Sequence, residues 1–168
     1  ELGNIIEFEK STTDGGSRHI NELLQHIRQE TTVTIEYNSF SSNSVKTHTI
    51  HPYFLKEYRN RWYMIGYHET YQSLRTLALE RMIRIEPDYA TAYRVSDFNV
   101  QAYYKDAVGV SITSEDPIRI IFELSPREYQ YIESQPIHSS QKCISKKEKV
   151  VTVELNAILN YELQSTLL

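Results

Sequence analysis

A chain of 168 residues, 40% hydrophobic and 24% charged, has the composition of a globular protein long enough for one domain or two small ones. The lone Cys143 excludes an internal disulfide and offers no metal-ligand spacing, and no apolar run approaches the roughly 18 to 20 residues of a membrane helix. A net charge of −4 excludes an overall basic nucleic-acid protein, and with no charged-then-apolar leader the chain is expected in the cytoplasm.

In chain order, residues 2–9 are expected to form a short strand, and the Ser/Thr/Asp/Gly cluster at 11–16 a loop. Ile20, Leu23, Leu24 and Ile27 recur at helical spacing, which predicts a helix over 18–29 with Ser17 as its cap. The β-branched run 31–37 predicts a strand, and the polar loop 39–44 leads to another at 45–50. Pro52 is expected to interrupt the ladder, with 53–58 continuing as an edge segment up to the Arg59-Asn60 turn. Strands over 61–67, 73–79 and 82–86 complete a set of closely spaced short strands, which suggests a small, strongly bent barrel.

Pro87-Asp88 marks a break, and a short helix is expected to about residue 105, capped by Ser96-Asp97. The tail changes rhythm. A strand over 118–124 precedes a helix over 126–133, with Ser125 as cap and Pro126 at its first position. A hairpin across 143–155 and a helix from 160 follow. This strand, helix, strand, strand, helix order resembles a ferredoxin-like fold without its final strand. The organisation read from these elements is an N-terminal strand, loop and helix (1–30), a barrel (31–86), a connector with a short helix (87–116) and a ferredoxin-like unit (117–168).

The segment Arg61-Trp62-Tyr63-Met64-Ile65-Gly66-Tyr67, followed by Arg75 and Arg81, carries the most chemistry. Between 45 and 85 stand Lys46, Lys56, Arg59, Arg61, Arg75, Arg81 and Arg84 against Glu57, Glu69 and Glu80, a local excess of +4 in an acidic chain. Aromatic faces beside guanidinium groups on adjacent strands suit stacking on a planar ligand and neutralising an anion. Tyr63 and Tyr67 share a strand face and are candidates for stacking, while Trp62 on the other face is expected to pack into the core. Arg75 and Arg81 are candidates for a phosphate or carboxylate, or for salt bridges with Glu80 or Glu36. Tyr53 and His51 are further candidates, His51 as a pocket donor. His48 and His51 fall on opposite strand faces, a poor geometry for a shared metal, so neither metal nor cofactor is expected. His138 beside Ser139 lacks an orienting partner and reads as a polar turn. With no nucleophile–base pair and no phosphate-cradling glycine loop, an enzyme is not expected.

The pattern resembles the WYL domain, a module of bacterial transcription regulators named for its Trp-Tyr-Leu run, with Met64 at the third letter here. Thr34-Ile35-Glu36-Tyr37, Ile50-His51-Pro52-Tyr53-Phe54-Leu55 and the segment from Arg75 to Met82 resemble its other strands, the last as a variant of Arg-x-Phe-x-Leu-Asp-Arg-Ile. Residues 96–168 resemble the C-terminal extension that often follows it. The resemblance implies an Sm-like, SH3-type barrel with a ligand-sensing role, usually C-terminal to a DNA-binding helix-turn-helix. Residues 1–30 offer only one clear helix and Glu1 stands where Met would, so the effector half of a longer regulator is expected, with a stand-alone sensor as the alternative. The implied effector is single-stranded nucleic acid or a nucleotide-like anion. The alternatives are a small anionic metabolite, or a dimerisation module without ligand; a homodimer is expected.

Overall fold

A computed structural model describes residues 15–39 and 44–168, which divide into two compact units between Phe98 and Asn99. The strand expected over 2–9 lies outside the described residues, as do most of the 11–16 loop and the centre of the 39–44 loop.

In the first unit, helix α1 (Ile20–Arg28) turns its apolar stripe onto a sheet, with Leu23 fully buried. A 3-10 turn, Ser17–His19, precedes it. Gly16, at φ 82, opens that turn, and the Ser17 hydroxyl expected to cap the helix is not used as a cap. The strands are β1 (Val33–Ser39), β2 (Ser44–Tyr58), β3 (Arg61–His68), β4 (Ser73–Ala78) and β5 (Met82–Pro87), in the antiparallel order β4-β3-β2-β1-β5.

The sheet is open rather than a closed barrel. A single strand of 15 residues, β2, replaces the two separate segments expected, pairing with β1 through its first half and with β3 through its second. The register shifts between Pro52 and Phe54, where proline has no N–H for a ladder, and such a bulge bends the strand without ending it. The edges β4 and β5 are joined by a 3-10 turn, Leu79–Arg81, and no ladder runs between them. Leu79 of that turn is fully buried and plugs the core instead.

The inward faces supply that core. Val33, Ile35 and Tyr37 alternate on β1 and join Ile50, Met64, Leu79, Met82 and Ile85, with Trp62 and Leu77 half-buried against them. Met64 is wholly buried, as a volume-conserving replacement for leucine requires.

The second unit holds α2 (Val100–Tyr104), β6 (Ile118–Leu124), α3 (Pro126–Ser134), β7 (Lys142–Lys146), β8 (Val151–Ala157) and α4 (Tyr161–Leu167), with β8 between β6 and β7. Asn99, not Ser96-Asp97, caps α2, its side chain accepting the Ala102 N–H. Ser125 and Glu128 form a reciprocal capping box at α3 behind Pro126. Val151, Val153, Leu155 and Ala157 point alternately inward from β8. His138 holds a turn: Nδ1 accepts the Ser140 N–H (3.2 Å), leaving Nε2–H for the Lys105 carbonyl (2.9 Å). Cys143 is exposed.

Candidate anion cavity and aromatic face

Pairing of β3 with β4 sets Gly66 opposite Arg75 and Tyr67 opposite Leu74. Neighbouring residues on a strand point to opposite faces, so Arg75 lies on the core-facing side and Tyr67 on the other. The six residues nominated from the sequence therefore do not form one surface.

Three of them do come together. His51 on β2 lies opposite Tyr67 on β3 and is fully buried. Its Nδ1 accepts the backbone N–H of Arg94 (3.0 Å), with the Thr32 hydroxyl 3.1 Å away. The ring proton is thereby placed on Nε2, facing the Glu69 carboxylate at 2.5 Å. Tyr53 donates its hydroxyl to the Arg94 carbonyl (2.8 Å), and Tyr93 donates to the Pro52 carbonyl (2.8 Å). Burial pushes the Tyr93 phenol up to about 12, with Tyr53 adding to the effect. The Arg94 guanidinium covers the Tyr67 ring. Tyr63 shares the strand parity of Tyr67 but stands one strand position from Met64, opposite Ala78 and Lys56. Four residue steps along the strand separate Tyr63 from Tyr67, about 13 Å, too far to stack on one ring.

Arg75 belongs to a different site. Lys46, His48 and Ile50 alternate inward on β2, and Ile50 pairs with His68 at the end of β3, which brings His48 and His68 into contact. Their rings meet edge to face, with Nδ1 of His48 2.8 Å from Nε2 of His68. The Nδ1 of His68 accepts the backbone N–H of Thr70 (3.1 Å), so its proton sits on Nε2 and is donated to His48. The remaining proton of His48 is then on its own Nε2. Tyr71 packs on His68 with ring centroids 4.3 Å apart, and the Arg75 guanidinium lies 4.9 Å from the Tyr71 ring centre.

Together with Tyr37, Ser39, Thr76 and Leu77 these side chains line a cavity of about 380 Å³. Its described lining holds Lys46, Arg75 and two histidines and no carboxylate. Burial holds both histidines below their ordinary value, helped by Lys46 at His48 and by His48 and Arg75 at His68. Arg81, in the 3-10 turn, hydrogen-bonds the phenol oxygen of Tyr37, which also accepts the Ala78 N–H (3.2 Å). Glu80, considered as a partner for Arg75 or Arg81, is 3.4 Å from Arg61.

Lys46, His48, His68 and Tyr71 were not among the nominated residues. Their signal is the inward alternation of Lys46, His48 and Ile50, which identifies a site only once Ile50 is known to face His68. Among the described residues, no group of three or more His, Cys, Asp or Glu could hold a metal ion, and no helix is long and apolar enough to cross a membrane.

No curated protein matches the chain. Among solved structures, proteasome accessory factor B/C (PafBC) of Arthrobacter aurescens is similar at 14% identity and a TM-score of 0.44, over 93% of this chain and 24% of that one. The chain thus spans about a quarter of that protein's length. Residues 18–87 match the family model of the WYL domain, a match that takes in α1, all five strands of the first sheet and the described lining of the cavity, and ends before Tyr93 and Arg94.

Proposed function

We propose that the first unit is the ligand-sensing module of a bacterial transcription regulator and that its effector is a nucleotide-sized anion held in the cavity between β2, β3 and β4. The observation that carries this reading is the convergence of Lys46, Arg75, His48 and His68 on one concavity whose described lining has no acidic side chain. A volume of about 380 Å³ lies within the range of small-molecule sites, and Tyr71 offers a π-face beside the Arg75 cation. The WYL match supports a regulatory role without catalysis.

The wider reading places this chain in the cytoplasm, as part of a homodimer whose full-length form carries a DNA-binding domain. Binding would act by shifting populations of that assembly. The strand order, with a 3-10 turn between the last two strands, supports an Sm-like sheet in bent, open form. The antiparallel order β6-β8-β7, with α3 between β6 and β7, supports a ferredoxin-like second unit.

The binding of single-stranded nucleic acid across an open aromatic face is the weaker reading, because Arg94 already lies on Tyr67. Fluorescence anisotropy with a labelled dinucleotide and with a longer labelled single strand distinguishes the two. A dinucleotide that binds, is lost with Arg75→Ala and is displaced equally well by unlabelled mononucleotide supports the cavity. A requirement for the longer strand, with binding indifferent to Arg75→Ala, moves the site to the other face. No binding of either leaves the dimerisation module.

A further inference from the structure

We propose that the cavity takes an oxyanion together with a proton, the proton being held by the His48–His68 pair; this rests on the anion-cavity reading above. Burial favours the neutral form of both rings, and the hydrogen bonds of the neutral pair run in one direction. The Thr70 N–H is donated to His68 Nδ1, and His68 Nε2–H is donated to His48 Nδ1. His48 Nε2–H is left as the donor of the chain, on a residue that lines the cavity.

A further proton has one accessible place. At His48 Nδ1 it would collide with the proton that His68 already donates there. At His68 Nδ1 it displaces the backbone N–H groups of Thr70 (3.1 Å) and Tyr71 (3.4 Å), both in the exposed turn between β3 and β4. The groups facing the pair decide when this happens. Lys46 on β2 and Arg75 on β4 oppose the added charge, Glu69 in the turn favours it, and Tyr37 on β1 and Tyr71 in the turn present neutral rings. With the cavity empty, burial and the two fixed cations disfavour the added charge. An oxyanion between Lys46 and Arg75 cancels their repulsion and favours the added charge. As His68 Nδ1 takes the proton, the shared proton passes from His68 Nε2 to His48 Nδ1, and the resulting His48 imidazolium donates its Nε2–H to the ligand as a charge-assisted hydrogen bond. The proton comes from solvent, and its uptake frees the backbone N–H groups of Thr70 and Tyr71 in the turn.

The test uses a labelled dinucleotide, whose phosphodiester keeps one charge throughout, and sulfate as an unlabelled competitor. Affinity is measured between about pH 5.5 and 8.5, bracketing the ordinary histidine range. Uptake of one proton raises affinity toward tenfold for each pH unit of fall in the window where the pair titrates, and calorimetry in two buffers of different ionisation enthalpy reads the same proton directly. His48→Gln and His68→Gln should each flatten the slope of affinity against pH, and that slope, rather than the affinity at any one pH, is the quantity read. Dinucleotide binding with no pH dependence and no proton uptake overturns the inference and leaves the anion cavity standing. A wild-type slope kept by both variants overturns it likewise. Failure of dinucleotide and sulfate to bind at any pH removes the cavity reading itself.

Discussion

The guanidinium of Arg94 lies over the ring of Tyr67, 4.1 Å from its centre. The same residue gives its N–H to His51 and takes the Tyr53 hydroxyl at its carbonyl, so three of the residues nominated for ligand binding hold one residue of the segment after β5. The chain has filled its own aromatic face with a cation.

Removing that cation should cost little stability. Arg94→Ala keeps both backbone hydrogen bonds and loses a half-exposed cation–π contact of about 0.5–1 kcal/mol. Urea denaturation of the variant against wild type checks this. A loss of several kcal/mol would make Arg94 a structural anchor of the unit.

Stability should fall as pH drops below about 6.5, because the unfolded chain has ordinary histidines while His48 and His68 are held lower. In that window the unfolded state binds more protons, so stability is present at neutral pH and is lost as pH falls through the folded values. Urea midpoints across the range should show this slope, and His68→Gln should reduce it. An unchanged slope would mean that other groups govern the acid side.

Gly66→Ala should be among the more damaging single-methyl changes in the first sheet. An added Cβ would stand 2.6 Å from the His51 carbonyl oxygen and 2.6 Å from a methyl of Ile50, both on the neighbouring strand. Overpacking of that kind typically costs about 1–3 kcal/mol. Thermal melts of the variant should show a lowered midpoint; a midpoint equal to wild type would mean that β2 and β3 separate freely here.

Trp62→Ala and Arg75→Ala should separate packing from binding. Trp62 packs half-buried on the core, so its truncation should cost about 2–3 kcal/mol, below the 3–5 of a fully buried aromatic. Arg75 is exposed and rests on Tyr71, so its removal should cost under about 1 kcal/mol and abolish anion binding. The reverse order of stabilities in urea would make Arg75 part of the scaffold.

Features written in consecutive residues were legible in the sequence. The stripe of Ile20, Leu23 and Ile27, the alternation on β1 and β8, and the Ser125-Pro126 start of α3 each follow from local period or local hydrogen bonding. The same locality marked the basic segment and its aromatic residues as the place to look. Which of those residues meet is a different matter. Arg75 parts from Tyr67 because Gly66 is its partner across β3 and β4, His48 meets His68 because Ile50 pairs with His68, and Arg94 reaches Tyr67 from 27 positions away. Strand register and the return of a segment without regular structure are set by long-range packing, and a shift of one residue moves every side chain to the opposite face, so only the tertiary structure decides them.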